Sequence, residues 1–183
     1  MKYMKEDNLT DIRHTIRIYL TVIAVTVAAL IFLYTKILAN AYIPSDSMEN
    51  TLMTGDRIMG NRLAYKFGQD PERYDIVIFY APDEEDTLYI KRIIGLPREK
   101  VTVRGGEVFI NDSTEPLDDF FICEKMEEEP DMEFQVPEGC YFMMGDNRNV
   151  SYDSRYWENP YVSEDKIVAK AMFKYWKGFK MLN

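Results

Sequence analysis

Histidine is almost missing from this chain: the only one in 183 residues is His14, close to the N-terminus. A Ser-His-Asp hydrolase needs an imidazole beside its nucleophile, so such machinery must recruit His14 or be abandoned for another base. Cysteine is scarce as well, with Cys123 and Cys140 the complete set. Two thiols and one distant imidazole do not complete a zinc site, and no metal or cofactor is expected. Basic charge is in deficit, 22 Lys and Arg against 31 Asp and Glu for a net charge of −9. Nucleic acid is therefore not an expected partner, because a phosphate backbone is met by a basic surface. The length suits one globular domain with or without an anchor and excludes two sizeable cores.

Charge is also absent from residues 18–35, a run of eighteen. As a helix it reaches about 27 Å, close to the hydrocarbon thickness of a bilayer. A transmembrane helix is expected over 18–38, after a cytoplasmic segment 1–17 and before an extracytoplasmic domain 39–183. A cleaved secretory signal and a buried core helix are the alternatives, and Ala39-Asn40-Ala41 does offer a small-x-small stretch. Lys2, Lys5, Arg13 and Arg17 precede the run, whereas only Lys36 follows it before Arg57. That asymmetry directs the N-terminus to the cytoplasm and the rest to the outer face of the cell membrane. Five basic and three acidic residues lie before Tyr42, leaving 17 and 28 beyond it and a net charge of −11. His14 is thereby separated from the domain. Cys123 and Cys140 stay with it, where an oxidising environment would permit a disulfide, although spacing does not show that they meet.

Beyond the anchor, short β-branched and aromatic segments alternate with Gly, Pro, Asp and Asn, which reads as a mainly β fold. Strands are expected near 57–61, 75–80, 87–94, 100–103, 107–110, 133–136, 140–144 and 166–176. Gly105-Gly106 between two alternating runs marks a tight hairpin, since Gly tolerates the positive φ such a turn needs. Residues 116–132 are acidic and weakly periodic, as expected of a solvated loop.

Three segments carry candidate chemistry. Pro44-Ser45-Asp46-Ser47-Met48 places two hydroxyls two positions apart, on one side of an extended chain; the same composition also makes an ordinary turn. With imidazole excluded, lysine is the remaining familiar base, and it must be desolvated to lose its proton near neutral pH. In the stretch 87–94, alternation puts Tyr89, Lys91 and Ile93 on one face and Ile90, Arg92 and Ile94 on the other, so Lys91 or Arg92 points to an apolar side. An edge strand whose Lys and Arg stems snorkel to water explains the same pattern. The third segment, Gly145 to Arg155, is rich in locally bonding residues. In it Asp153 and Arg155 can form a buttressing ion pair and Ser151 can orient an amine, or the whole can be a polar turn.

The order and spelling of these segments resemble the bacterial type I signal peptidases, or leader peptidases, a serine–lysine family. Pro44-Ser45-Asp46-Ser47-Met48 is similar to the nucleophile box and Gly55-Asp56 to the short box after it. Tyr89-Ile90-Lys91-Arg92 with Gly95-Leu96-Pro97 is similar to the lysine box, and Gly145-Asp146-Asn147-Arg148 through Ser151-Tyr152-Asp153-Ser154-Arg155 to the last box. The resemblance implies an antiparallel signal-peptidase-like β-fold after one transmembrane helix. It implies Ser47 as nucleophile, Lys91 as general base, Ser45 and the Ser47 N–H as oxyanion hole, Ser151 as orienter of Lys91, and Asp153 and Arg155 as support. It departs from the commonest spelling at Asp46, Asn50, Tyr74, Arg98-Glu99 and Asn149-Val150.

The implied activity removes signal peptides from exported preproteins through an acyl-enzyme. The implied substrates carry small residues before the cleavage site and bind by strand addition, with the lipid bilayer as the other partner. On that reading the Ser47 hydroxyl lies within about 3.2 Å of the Lys91 amine, or somewhat farther without substrate. Two other classes fit parts of the sequence: a noncatalytic tethered β module, which predicts an ordinary Lys91, and a self-cleaving serine–lysine regulator, which predicts an internal cut.

Overall fold

No Gly or Pro occurs before Pro44, so nothing in the first forty residues interrupts a helix once it has nucleated. The computed structural model, which describes residues 3–84, 86–122 and 124–182, accordingly carries helix α1 from Tyr3 to Ile37. The helix extends well N-terminal of the uncharged run and stops before Leu38. Within its segment Asp11–Ile37 an eighteen-residue stretch reaches a mean hydropathy of 2.4 with none of it buried, and the helix is long and apolar enough to cross a membrane. Lys36 in the last turn complements the helix dipole and lies over the Phe32 ring at 5.9 Å.

Residues from Leu38 onward form a separate unit made of antiparallel strands. In chain order these are β1 (Leu38–Tyr42), β2 (Arg57–Asn61), β3 (Ile76–Tyr80), β4 (Leu88–Gly95), β5 (Lys100–Arg104), β6 (Glu107–Ile110), β7 (Met132–Gln135), β8 (Cys140–Met144), β9 (Val162–Ser163), β10 (Ile167–Lys174) and β11 (Lys180–Met181). The large sheet runs β1-β2-β10-β3-β4-β8-β9, with β11 on β10, and a small sheet runs β6-β5-β7. The fold is mainly β, as the alternating segments predict. β1 is the departure: the helix expected to reach residue 38 ends at Ile37, and Leu38–Tyr42, where no strand is expected, pairs with β2 from Leu38↔Asn61 to Tyr42↔Arg57.

β3 shows why the large sheet is central. Ile76 and Ile78 pack with Met48, Leu52, Ile58, Ala169 and Ala171 on one face, while Val77 and Phe79 pack with Ile93, Met143 and Trp157 on the other. A strand buried on both sides loses its polar alternation, which is how Ile76-Val77-Ile78-Phe79 reads. The small sheet encloses a third cluster of Val101, Val103, Val108, Phe142 and Met144. Its β5–β6 hairpin turns through Gly105 and Gly106 at φ 57° and 73°.

Residues 111–131 have no strand or helix among those described, yet they are not simply solvated. Phe121 and Met126 are buried and Asp119 bonds the guanidinium of Arg148 at 2.6 and 2.9 Å, while Glu127 and Glu128 stay exposed. Isolated apolar residues between acidic ones act as anchors that a search for periodicity passes over. Cys123, and with it a Cys123–Cys140 pair, lies outside the described residues. Three departures from the family spelling fall where the backbone is left-handed: Asn50 has φ 81°, Tyr74 φ 74° and Arg98 φ 70°. That region suits Gly and costs other residues about 1–2 kcal/mol.

Candidate active site

The segment carrying Ser45 and Ser47 leaves β1 and bends instead of staying extended. The carbonyl of Asp46 accepts the Glu49 N–H at 2.9 Å, and that of Met48 accepts Leu52 N–H at 2.7 Å and Thr51 N–H at 3.1 Å. This turn presents Met48 and Leu52, four residues apart, to the core, where both are buried. Met48 is thus a packing residue, while Met53 is exposed and Met59 half-buried. Ser47 is left half-buried at the mouth, and exposed Ser45 donates to its hydroxyl at 3.4 Å.

Opposite lies β4. It pairs with β3 from Leu88 to Arg92, and β8 takes the other side only from Arg92 onward, leaving residues 88–91 with an open edge. The strand buries both of its cations: Lys91 is 4% exposed and Arg92 2%. Snorkelling is therefore excluded for either stem. Arg92 is fully paired, donating to Asp146 at 2.8 and 2.6 Å and to the Tyr74 carbonyl at 2.8 Å, with its guanidinium 4.1 Å over the Phe121 ring. Lys91 has no carboxylate within 4 Å among the described residues. Burial pulls its amine down to about 8, partly opposed by the more distant charge of Asp153 and assisted by Arg155.

The loop after β8 joins the two. Asp146 is buried against Arg92 and also accepts from the Thr51 hydroxyl at 2.5 Å, which ties β4 to the turn after Ser47. Asn147 N–H donates to the Ser47 carbonyl at 3.1 Å. The buried Asp153–Arg155 pair closes at 2.9 Å, with Asp153 accepting the Gly145 N–H at 3.0 Å and Arg155 donating to the Arg148 carbonyl at 2.6 Å. Gly145 is wedged between segments: a Cβ there would stand 2.3 Å from both the Ser47 carbonyl and the Ser151 hydroxyl. The Ser151 hydroxyl is buried without a hydrogen-bond partner in this structure.

Ser45, Ser47 and Lys91 all line one cleft of about 570 Å³, walled by Tyr42 to Met48 on one side and Thr87 to Lys91 on the other, with Val150 and Tyr152 at the rim. Ser151, Asp153 and Arg155 stand behind it. No hydrogen bond joins Ser47 to Lys91 or Ser151 to Lys91 among the described residues, so the expected contact of about 3.2 Å is not made in this structure. Such an arrangement offers a hydroxyl, a desolvated amine and an open strand edge in one concavity. Among the described residues no cluster of three or more His, Cys, Asp or Glu is placed to hold a metal.

Comparison with known proteins covers most of the chain. The family model described as signal peptidase, peptidase S26, matches residues 14–176. The chain belongs to that family. It is 39% identical over 143 residues to a probable signal peptidase I-2 of Synechocystis, covering 74% of this chain and 62% of that one. It is 40% identical over 149 residues to thylakoidal processing peptidase 1 of Arabidopsis thaliana, covering 76% and 42%. With signal peptidase I of Bacillus caldolyticus it shares 34% over 165 residues, covering 84% and 87%. The chain therefore spans less than two thirds of the first two relatives and most of the third.

Sequence reasoning left several contributors without a role: Thr51 and Asp146, which clamp the Ser47 turn to Arg92, and Gly145, whose missing side chain lets Ser47 and Ser151 approach. Gly145 was legible only as part of a motif. Asp146 carried a usable signal, since an Arg beside the candidate base on a buried strand demands a carboxylate somewhere.

Proposed function

We propose that this chain is a membrane-anchored serine endopeptidase that removes signal peptides from exported preproteins, with Ser47 as nucleophile and Lys91 as base. The observation that carries the proposal is the buried, carboxylate-free Lys91 amine, lowered to about 8, lining the same cleft as Ser47. At pH 7 about a tenth of such an amine is neutral, against well under a thousandth for a solvated lysine. The neutral Nζ takes the Ser47 proton as Oγ bonds to the scissile carbonyl carbon. The resulting oxyanion is held by the Ser47 N–H and a rotated Ser45 hydroxyl. Lys91 then gives the proton to the leaving amine as the C–N bond breaks. Water, deprotonated by Lys91, hydrolyses the ester and frees Ser47. Ser151 positions the amine once substrate tightens the cleft.

The substrate adds as a strand to the open edge of residues 88–91, with the cleft wall of Tyr42 to Pro44 on its other side. Side chains at alternating positions then face the cleft, and only small ones fit. Helix α1 spans the bilayer with its N-terminus cytoplasmic, by the Lys and Arg asymmetry, and the β unit stands on the outer face. Retention of the helix is supported by β1: a cut after Ala39 or Ala41 would sever a strand paired along its whole length. Tethering raises the effective concentration of the nucleophile at membrane-held substrates.

The test is processing of a preprotein by the detergent-solubilised full chain. Ser47→Ala and Lys91→Ala are each expected to lose more than about 10⁴-fold in kcat/KM, because nucleophile and base act as a unit. Full processing by either variant rejects the assignment.

A further inference from the structure

Among the groups around the cleft, one amide is bonded to the nucleophile's own peptide unit and is given no task by the mechanism above. Asn147 is 5% exposed. Its backbone N–H holds the Ser47 carbonyl at 3.1 Å, and its Nδ2 donates to the Asp46 carbonyl at 3.2 Å and more weakly to Glu49 at 3.4 Å. The Asp46 carbonyl already accepts the Glu49 N–H at 2.9 Å, so two donors converge on it. Asn147 Oδ1 is buried without a partner. The amide nevertheless keeps this orientation because the reverse one would bring Oδ1 against a carbonyl oxygen.

The Asp46 carbonyl and the Ser47 N–H are the two ends of one planar trans peptide and point in opposite directions. Anchoring the carbonyl on Asn147 and Glu49 therefore fixes where the N–H points. Withdrawing electron density through a doubly bonded carbonyl also makes that N–H a stronger donor. Among the described residues the Ser47 N–H donates to no protein acceptor. We infer that Asn147 is a positioning residue that orients and polarises the Asp46–Ser47 peptide so that its N–H serves the oxyanion. The inference rests on the Ser47 mechanism proposed above.

An oxyanion donor acts in the transition state and not in the ground state, so its misorientation lowers kcat and spares KM. Complete loss of one such donor costs about 10²- to 10³-fold, and loosening it is expected to cost about 10- to 50-fold. Two variants of the full chain test this: Asn147→Ala, and Asn147→Leu, which keeps approximate shape and the backbone bond but removes the Nδ2 donor without adding charge. The expected result for both is a kcat lower by about 10-fold or more, with KM within two-fold and the inflection of the pH–rate profile near 8 unmoved. A peptide boronate that forms a tetrahedral adduct on Ser47 should lose affinity in parallel with kcat/KM, while a product peptide should not. Melting temperature, read alongside, separates this from a fold defect. Unchanged kcat in a folded variant overturns the inference. So does a loss confined to KM, a shifted inflection, or unfolding of both variants. If these variants behave as wild type while Ser47→Ala is inactive, the positioning role fails and the dyad stands.

Discussion

Lys91 and Arg92 occupy consecutive positions of β4, project to opposite faces and are both buried, yet Arg92 meets a carboxylate at 2.6 Å while Lys91 meets none within 4 Å among the described residues. A buried guanidinium needs a partner to be hidden. Its bidentate bond to Asp146, the Tyr74 carbonyl and the Phe121 face supply that, and the bond ties the strand to the last loop. Lys91 has the other option, because an ammonium can shed its proton when desolvated. On one strand, then, a paired buried cation is structure and an unpaired one is a reserve of basicity.

The largest effect on stability is expected from breaking the paired side. Asp146→Ala leaves the Arg92 guanidinium buried and uncompensated, which costs about 3–5 kcal/mol. Denaturant unfolding of the detergent-solubilised chain measures this, and a loss under about 1 kcal/mol would mean that Arg92 finds water. The unpaired side should respond in the opposite sense. The Lys91 amine is held near 8, below its ordinary value of 10.5, so the folded state binds fewer protons than the unfolded one between those values. Stability therefore rises with pH across that window, and the penalty is fully present below it. Lys91→Met removes the penalty. It should raise stability by up to about 3 kcal/mol below pH 8, with the advantage shrinking toward pH 10.5, while activity is lost. A variant that is both inactive and no more stable at pH 7 than the parent would blur the contrast.

Much of this was legible from residues alone. The open alternation of the β4 segment placed Lys91 and Arg92 on opposite faces, and the Gly105-Gly106 pair marked its hairpin. What stayed illegible has physical reasons. β1 carries Asn40 and two alanines directly after a long apolar helix, a composition with no strand signal until β2 lies beside it. β9 and β11 are two residues each, too short for any period. Alternation alone could not say whether the Lys91 face, which it shares with Ile93, was covered, because that depends on Val77 and Met143 arriving from two other strands. The role of Asn147 was hidden for a related reason: its bonds run to residues about a hundred positions away.

The central claim is that the Lys91 amine loses its proton near pH 8, well below an ordinary lysine, because it is buried and unpaired. Its titration can be followed by NMR of the Nζ resonance in the intact, micelle-embedded chain, assigned by comparison with Lys91→Met. A midpoint near 8 is the predicted result; a midpoint at the ordinary lysine value near 10.5 would contradict the account.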